Sequence, residues 1–223
     1  YTDADDDDAL VSIKITTLED AGALQYYNGS AWVDVTLNQV ITATDIAANK
    51  LRLNPTANEN GSSYTTFNFT VNDGDADSAS ANTITVNVTA VNDAPTAANN
   101  TVTTNEDTDH TFAASEFNFT DVDGDSLDHI SIETLPSNGT LLLSGNAVSA
   151  GDQISITNIA NLVFRPATNE NGTGYDTFTF SVNDGTVDGA STYTMTVNVT
   201  AVNDAPVADD ETGAVNEDAT LTV

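Results

Sequence analysis

The chain has 223 residues, 34 acidic against four basic (Lys14, Lys50, Arg52 and Arg165), for a formal charge of −30. A field of that sign excludes nucleic acid and anionic membrane as partners, because both are bound by neutralising phosphates with Lys and Arg; cations are the natural counterpart. No cysteine is present, so disulfides and thiol chemistry are excluded, and each module must be held by its core or by metal. Acidic chains with few aromatics can be disordered. Here long alternating runs of Val, Ile, Thr, Phe and Tyr mark strands instead. Neither a secretory leader nor a membrane-spanning stretch is visible.

In chain order, the first notable stretch is Asp3-Ala4-Asp5-Asp6-Asp7-Asp8, a run of acids that calls for counter-ions. Next, Leu24-Gln25-Tyr26-Tyr27-Asn28-Gly29-Ser30-Ala31-Trp32 reads as a hairpin, with Asn28-Gly29 suited to a type I′ turn. Then come Asn58-Glu59-Asn60-Gly61, Val71-Asn72-Asp73-Gly74, an alternating strand over 83–91 and the phrase Val91-Asn92-Asp93-Ala94-Pro95. The proline cannot donate to a ladder and ends that strand. Four motifs return at a constant offset: 202 − 91 gives 111, and so do Asn58-Glu59-Asn60-Gly61 with Asn169-Glu170-Asn171-Gly172, Val71-Asn72-Asp73-Gly74 with Val182-Asn183-Asp184-Gly185, and Asn105-Glu106-Asp107 with Asn216-Glu217-Asp218. The chain is therefore a tandem repeat. Near its start the offset is larger, since Thr2-Asp3-Ala4-Asp5 matches Thr120-Asp121-Val122-Asp123 at 118, which places extra residues around Tyr26 to Val40.

The second repeat reads as strands near 99–104, 110–119, 128–135, 139–144, 153–164, 175–182 and 192–202, with turn residues in the gaps and no convincing helix. Seven short strands of this kind predict an all-β protein of tandem antiparallel β-sandwich modules, cadherin- or Ig-like. The domains expected are residues 1–95, a repeat lacking its first two strands, residues 96–206, a full repeat, and residues 207–223, the start of a third. Either the chain is a piece of a longer array, or the tail of one chain completes the head of another by strand exchange.

In an antiparallel sandwich the connections alternate between two ends. Asp121, Asp123, Asp125 and Asp184 are thus expected together at the leading end of the second repeat, facing Glu59, Asn92 and Asp93 of the first. So many carboxylates in one linker repel, by about 1 kcal/mol per pair at 4 Å in water. Calcium, which takes six to eight oxygens, suits them; zinc wants His or Cys, and magnesium a stricter octahedron. Asp3, Asp5, Asp7 and Asp73 form the matching set on the first repeat, and Glu106, Glu170, Asn203 and Asp204 a half-site at the second joint. Asp121-Val122-Asp123-Gly124-Asp125 is similar to the first half of an EF-hand loop, without the later Glu. The plainer reading is that such residues cap turns.

These motifs resemble the cadherin-like tandem repeats of large bacterial surface proteins, RTX-type adhesins among them, whose modules end in a Val-Asn-Asp-Ala-Pro phrase. Cadherins place an Asp-x-Asp about 30 residues after the linker phrase, and 121 − 93 and 123 − 93 give 28 and 30 here. The resemblance implies that Asn92, Asp93, Asp121 and Asp123 are linker ligands, Glu59 the acidic residue of the preceding module and Asp184 the later aspartate. It implies an extracellular, calcium-rigidified extender that holds an adhesive domain away from the cell, in attachment or biofilm formation. Its partners are calcium and the neighbouring repeats. Asn58-Glu59-Asn60 offers one carboxylate where cadherins offer two, and the glycine-rich nonapeptides of RTX β-rolls are absent.

A second reading is a glycan-binding or homophilic module that uses Tyr26, Tyr27 and Trp32 as a sugar or cell-surface platform, against plain cross-strand packing. Catalysis is the weakest reading. His110 and His129 sit in no triad or metal pattern, and there is no nucleophile elbow or phosphate loop.

Overall fold

The structure is a computed structural model that describes residues 9–208, 210, 212–218 and 220. Asp3, Asp5 and Asp7 lie outside the described residues. The chain divides into two compact units, Tyr1–Asp93 and Ala94–Val223. Both are built of strands in several sheets with few helices, an all-β Ig-like sandwich architecture.

In the first unit, β1 (Ser12–Thr17), β4 (Val40–Thr42), β6 (Gly61–Asn72) and β7 (Asn82–Val88) form a sheet in the order β4-β1-β6-β7. A second sheet holds β2 (Ala23–Tyr27), β3 (Trp32–Asp34) and β5 (Leu51–Asn54) in the order β3-β2-β5. Alternation turns Ile13, Ile15, Leu24, Ile41 and Phe67 into the space between.

The second unit has a five-stranded sheet in the order β13 (Gln153–Ser155), β10 (His129–Thr134), β15 (Gly172–Asn183), β16 (Tyr193–Thr200), β8 (Asn100–Asn105). Facing it are β12 (Asn146–Ala147), β11 (Thr140–Leu143), β14 (Leu162–Arg165) and β9 (His110–Thr111). Phe112, Phe117, Phe164, Phe178 and Phe180 are fully buried between the layers, three of their contacts near-perpendicular or tilted edge packings.

Three expectations are corrected. The sandwich is not wholly antiparallel: β8 runs parallel to β16, with Val102 beside Val197. Strands one and seven of seven point the same way, so when they become neighbours their ladder is parallel. The strand expected over 110–119 stops at Thr111. The Glu116 carboxylate accepts the Ala113 N–H at 2.9 Å, Ala114–Phe117 coil as a 3-10 turn that drops Phe117 into the core, and Asn118 turns left-handed at φ 47°. The strand expected over 153–164 is two strands in different sheets, joined by the 3-10 segment Ile156–Asn161 that carries buried Ile159 across.

Comparing pairing registers locates the extra residues of the first unit. Ile13 and Ile130 occupy equivalent places (130 − 13 gives 117), Ile41 and Ile154 likewise (154 − 41 gives 113), and Leu53 and Phe164 differ by 111. Four residues therefore enter the β2–β3 hairpin region. Two more enter after β4, where the 3-10 segment is replaced by α1 (Ala43–Ala47), an α-helix not expected from the sequence. Its cap is visible in hindsight, since the Thr42 hydroxyl accepts the Asp45 N–H at 3.1 Å.

Gly139 begins the turn into β11 under a ring: a Cβ there would lie 2.3 Å from Phe164 Cζ and 2.8 Å from the Arg165 carbonyl oxygen. Gly139→Ala is expected to destabilise the second unit by about 2 kcal/mol, measured by urea denaturation, because both neighbours are core or backbone and cannot step aside.

Candidate metal centre

The leading end of the second unit is assembled by short backbone contacts. Thr96 and Thr120 exchange N–H···O bonds at 2.8 Å each, which pins the start of the unit beside the acidic loop. Asp128 N–H donates to the Asn183 carbonyl at 2.9 Å, so the loop after β15 comes to the same end. There is little slack in this arrangement. A Cβ on Gly189 would meet the Pro95 carbonyl oxygen at 2.7 Å.

The acidic loop curls around one side chain. Asp121 Oδ1 accepts the N–H groups of Asp123 at 2.8 Å and Asp125 at 3.2 Å, Gly124 supplies the left-handed φ of 84° the curl requires, and buried Leu127 anchors the far side. The result is that carboxylate oxygens of Asp121, Asp123 and Asp125 lie within 4.8 Å of one another. The other Asp121 oxygen, Oδ2, is buried and accepts no hydrogen bond. A buried anionic oxygen without a donor is costly in a sandwich of this size, and a hard cation would satisfy it. The donor set is all oxygen and anionic, which fits calcium and lacks the softer ligands of zinc or copper.

The other expected ligands are placed as follows. Asp184, at the same end, uses Oδ1 to accept the Thr186 and Val187 N–H groups at 2.6 and 2.7 Å. Asp73 does the same in the first unit with Asp75 and Ala76, and those N–H groups, Ala76 first, hold its carboxyl below the ordinary carboxylate range. Both thus cap turns with at least one oxygen. In the first unit Gly61 pairs with Val88, so Glu59 lies at the end where β7 leads out toward Asn92 and Asp93. The Tyr64 hydroxyl donates to Glu59 at 2.7 Å, and Tyr175 repeats this with Glu170 at 3.0 Å. Asn92 and Asn203 each donate from Nδ2 to the next residue's carbonyl, at 3.0 Å in both.

At the trailing end of the second unit, Glu106, Glu170, Asn203 and Asp204 come together with residues that pattern reading passed over. Glu106 is 6% exposed and accepts the Val202 N–H at 2.5 Å and the Asn171 amide at 3.0 Å. Those two donors, Val202 first, hold its carboxyl below the ordinary range. Asn169, in the amide orientation that satisfies its neighbours, donates to Asp107 at 3.2 Å and Asp204 at 3.3 Å. Asp107, Asn169 and Asn171 were all legible in the repeated Asn-Glu-Asp and Asn-Glu-Asn-Gly phrases; only the Glu of each had stood out.

The three hairpin aromatics divide between the two faces of their sheet. Tyr26 turns to the other side of its strand, packs on the core and donates to Asp45 at 2.7 Å. Tyr27 and Trp32 remain paired across β2 and β3, ring centroids 5.6 Å apart, and the Arg52 guanidinium sits 4.0 Å over the indole. A ring face already stacked by a cation is one fewer for a sugar. An open hollow of about 430 Å³ beside the acidic loop is lined mainly by Phe119, Leu127 and Ile156, with Ser115, Asn118 and Thr120 at its polar margin.

A tandem of Ig-like β units with an acidic leading loop is thus the class of protein that fold and site define. Residues 92–200 match the family model described as bacterial Ig domain, which supports an Ig-like repeat over that stretch. No curated protein matches the chain. Among solved structures it is similar to the H294Q variant of an endo-fucoidan hydrolase of glycoside hydrolase family 107 (20% identity, TM-score 0.32, 87% of this chain and 24% of that one) and to the same hydrolase without that substitution (21%, 0.31, 82% and 24%). Domains 4 and 5 of the S-layer protein SbsC align at 13% identity, TM-score 0.28, over 84% of this chain and 99% of that one. The chain spans about a quarter of the length of the hydrolases it matches. Among the described residues no helix is long and apolar enough to cross a membrane.

Proposed function

We propose that this chain is a calcium-binding extender segment of a bacterial surface or secreted adhesin, stiffened by ions at its joints and without catalytic activity of its own. The observation that carries this reading is the buried, donorless Oδ2 of Asp121 inside a triad of carboxylates within 4.8 Å. Asp121, Asp123 and Asp125 hold the ion, and it supplies charge neutralisation and oxygen coordination, nothing reactive. The match to a bacterial Ig domain supports a non-catalytic spacer role at the cell surface.

In this proposal Asn92 and Asp93 of the linker phrase are further ligands at the joint. Glu59 and Asp184 complete the set at this joint, Asp73 belongs to its counterpart on the first unit, and Glu106, Glu170, Asn203 and Asp204 serve the next. An ion that binds only the docked arrangement stabilises it by about 2.7 kcal/mol at a hundredfold excess over Kd, enough to turn a hinge into a rod.

Small-angle scattering tests this directly. The expected result is a larger maximum dimension and a narrower distance distribution in calcium than in chelator. Superimposable profiles in the two buffers would reject the extender mechanism.

A further inference from the structure

The tip of the β2–β3 hairpin in the first unit sets up a reaction of the chain with itself. Tyr27 pairs with Trp32, and the Asn28 N–H donates to the Ala31 carbonyl at 3.1 Å, so Gly29 and Ser30 form the tip and Asn28 stands at its first corner. From there the Asn28 side chain curls over the turn. Its Oδ1 accepts the Ser30 N–H at 3.0 Å, the Ser30 hydroxyl at 2.9 Å and the Ala31 N–H at 3.1 Å. Two of these partners are backbone N–H groups, which can only donate, so the atom they meet is the amide oxygen. Asn28 and Gly29 are exposed, and a Cβ on Gly29 would meet nothing within 4 Å. Among the described residues no group accepts the Gly29 N–H or the Asn28 Nδ2.

We propose that Asn28 deamidates spontaneously in the folded chain, with its own turn as the catalyst. The Gly29 nitrogen bonds to Asn28 Cγ and closes a ring, the Cγ–Nδ2 bond breaks, and ammonia leaves with the proton that Gly29 gives up. Water then opens the imide and leaves a carboxylate at position 28. One water is consumed and one ammonia released, with no change of oxidation state and no co-reactant beyond water. Adjacency in the chain holds the nitrogen beside the carbon it attacks. As it adds, negative charge gathers on Oδ1, where the Ser30 and Ala31 donors already point. The same donors hold the product, since a carboxylate takes these bonds as charge-assisted ones. The β-linked isomer would route the backbone through Cγ and draw its carboxylate out of that ring, so the fold favours the ordinary aspartate.

Asn-Gly occurs four times in the chain, and the structure separates the four. Gly139 donates its N–H to Asp176 at 2.7 Å and Asn138 donates Nδ2 to the Tyr175 carbonyl at 3.0 Å, so attacking and leaving nitrogens are both held. Asn171 gives Nδ2 to the buried Glu106 at 3.0 Å. Asn60 is exposed, but among the described residues no ring of donors surrounds its oxygen. The reaction at Asn28 rests on the hydrogen bonds of one turn and needs no ion, so it is independent of the extender mechanism.

The test is peptide mapping by tandem mass spectrometry on the full 223-residue chain, kept at mildly alkaline pH either folded or in urea. In the folded chain, conversion at Asn28 is expected to be at least about tenfold faster than at Asn138 or Asn171, and faster than at Asn60. Unfolding in urea should slow Asn28 and speed Asn138 and Asn171. Ser30→Ala removes the hydroxyl donor, keeps both N–H groups, and should slow Asn28 by about threefold or more with the other sites unchanged. Asn28→Asp should melt no lower than the wild type. Conversion at Asn28 that is no faster than at Asn60, that unfolding accelerates, or that Ser30→Ala leaves unchanged would overturn the proposal. An Asn28→Asp chain that melts below the wild type would overturn the hold of the turn on its product.

Discussion

Asp176→Ala is expected to cost the second unit about 4 kcal/mol of unfolding free energy, a large part of the 5–15 kcal/mol a domain of this size holds. Asp176 is 5% exposed, and its carboxylate fills a ring of donors: the N–H groups of Ser137 at 2.9 Å, Asn138 at 2.7 Å, Gly139 at 2.7 Å and Thr177 at 2.9 Å. This is what folds Pro136–Gly139 into the turn that feeds β11. Alanine would strand all four donors at once, each a charge-assisted bond worth more than a neutral one. The first unit contains the control. Its equivalent residue is Thr65, 1% exposed, whose hydroxyl accepts the Asp20 and Ala21 N–H groups and donates to Asp20 at 2.8 Å. Thr65→Ala removes weaker, neutral bonds and is expected to cost about 1 kcal/mol in the first unit.

The same carboxylate gives a pH dependence. Burial pushes the Asp176 pKa up, but the N–H groups of Ser137, Gly139, Asn138 and Thr177 outweigh burial and hold it below the ordinary carboxylate value. Unfolded, the side chain titrates near 3.9. The folded pKa is the lower one, so this stabilisation is complete above about pH 4 and is lost as pH falls from there through the folded value. Subtracting the curve of Asp176→Asn from that of the wild type isolates it from the general relief of repulsion as other acids protonate. The difference should shrink on acidification below about pH 4. A difference that stays flat across that window would show the ring to be held by packing alone.

How much of this was legible beforehand divides along physical lines. Alternation and the constant offset of 111 carried the strands and the two-repeat organisation, because both are properties of sequence order. Loop parity brought Asp121, Asp123 and Asp125 to one end with residue 96, and Glu106, Glu170 and Asp204 to the other. What failed were places where a polar side chain redirects the backbone. Glu116 and left-handed Asn118 end a strand that His110-Thr111-Phe112 begins well, and Asp176 shapes a turn 37 residues away from itself along the chain. One miss left a trace. Buried Ile154, Ile159, Leu162 and Phe164 are spaced five, three and two apart, which no single strand allows. Tyr26 lies beside Tyr27 in sequence and therefore faces the other side of the sheet, where it packs on the core.

Asp121→Asn separates the ion site from the fold. Asparagine keeps an oxygen where Oδ1 accepts the Asp123 and Asp125 N–H groups, so the curl of the loop survives, while the charge and the buried anionic Oδ2 are lost. In chelator its melting temperature should equal or slightly exceed that of the wild type, because removing one of three clustered carboxylates removes repulsion of about 1 kcal/mol per pair in water. In calcium the order should reverse. A calcium level a hundredfold above the wild-type Kd stabilises by about 2.7 kcal/mol, and a tenfold loss of affinity reduces that to about 1.4 kcal/mol. Asp128→Asn is the matched control: it removes a charge from the same end, but Asp128 lies outside the triad, bonded to His129 at 2.9 Å. If calcium raises the melting temperature of Asp121→Asn as much as that of the wild type, the ion binds elsewhere and the joint has no claim on it. If only Asp121→Asn loses the response, Asp121 is a ligand of the ion, since the two variants change net charge equally.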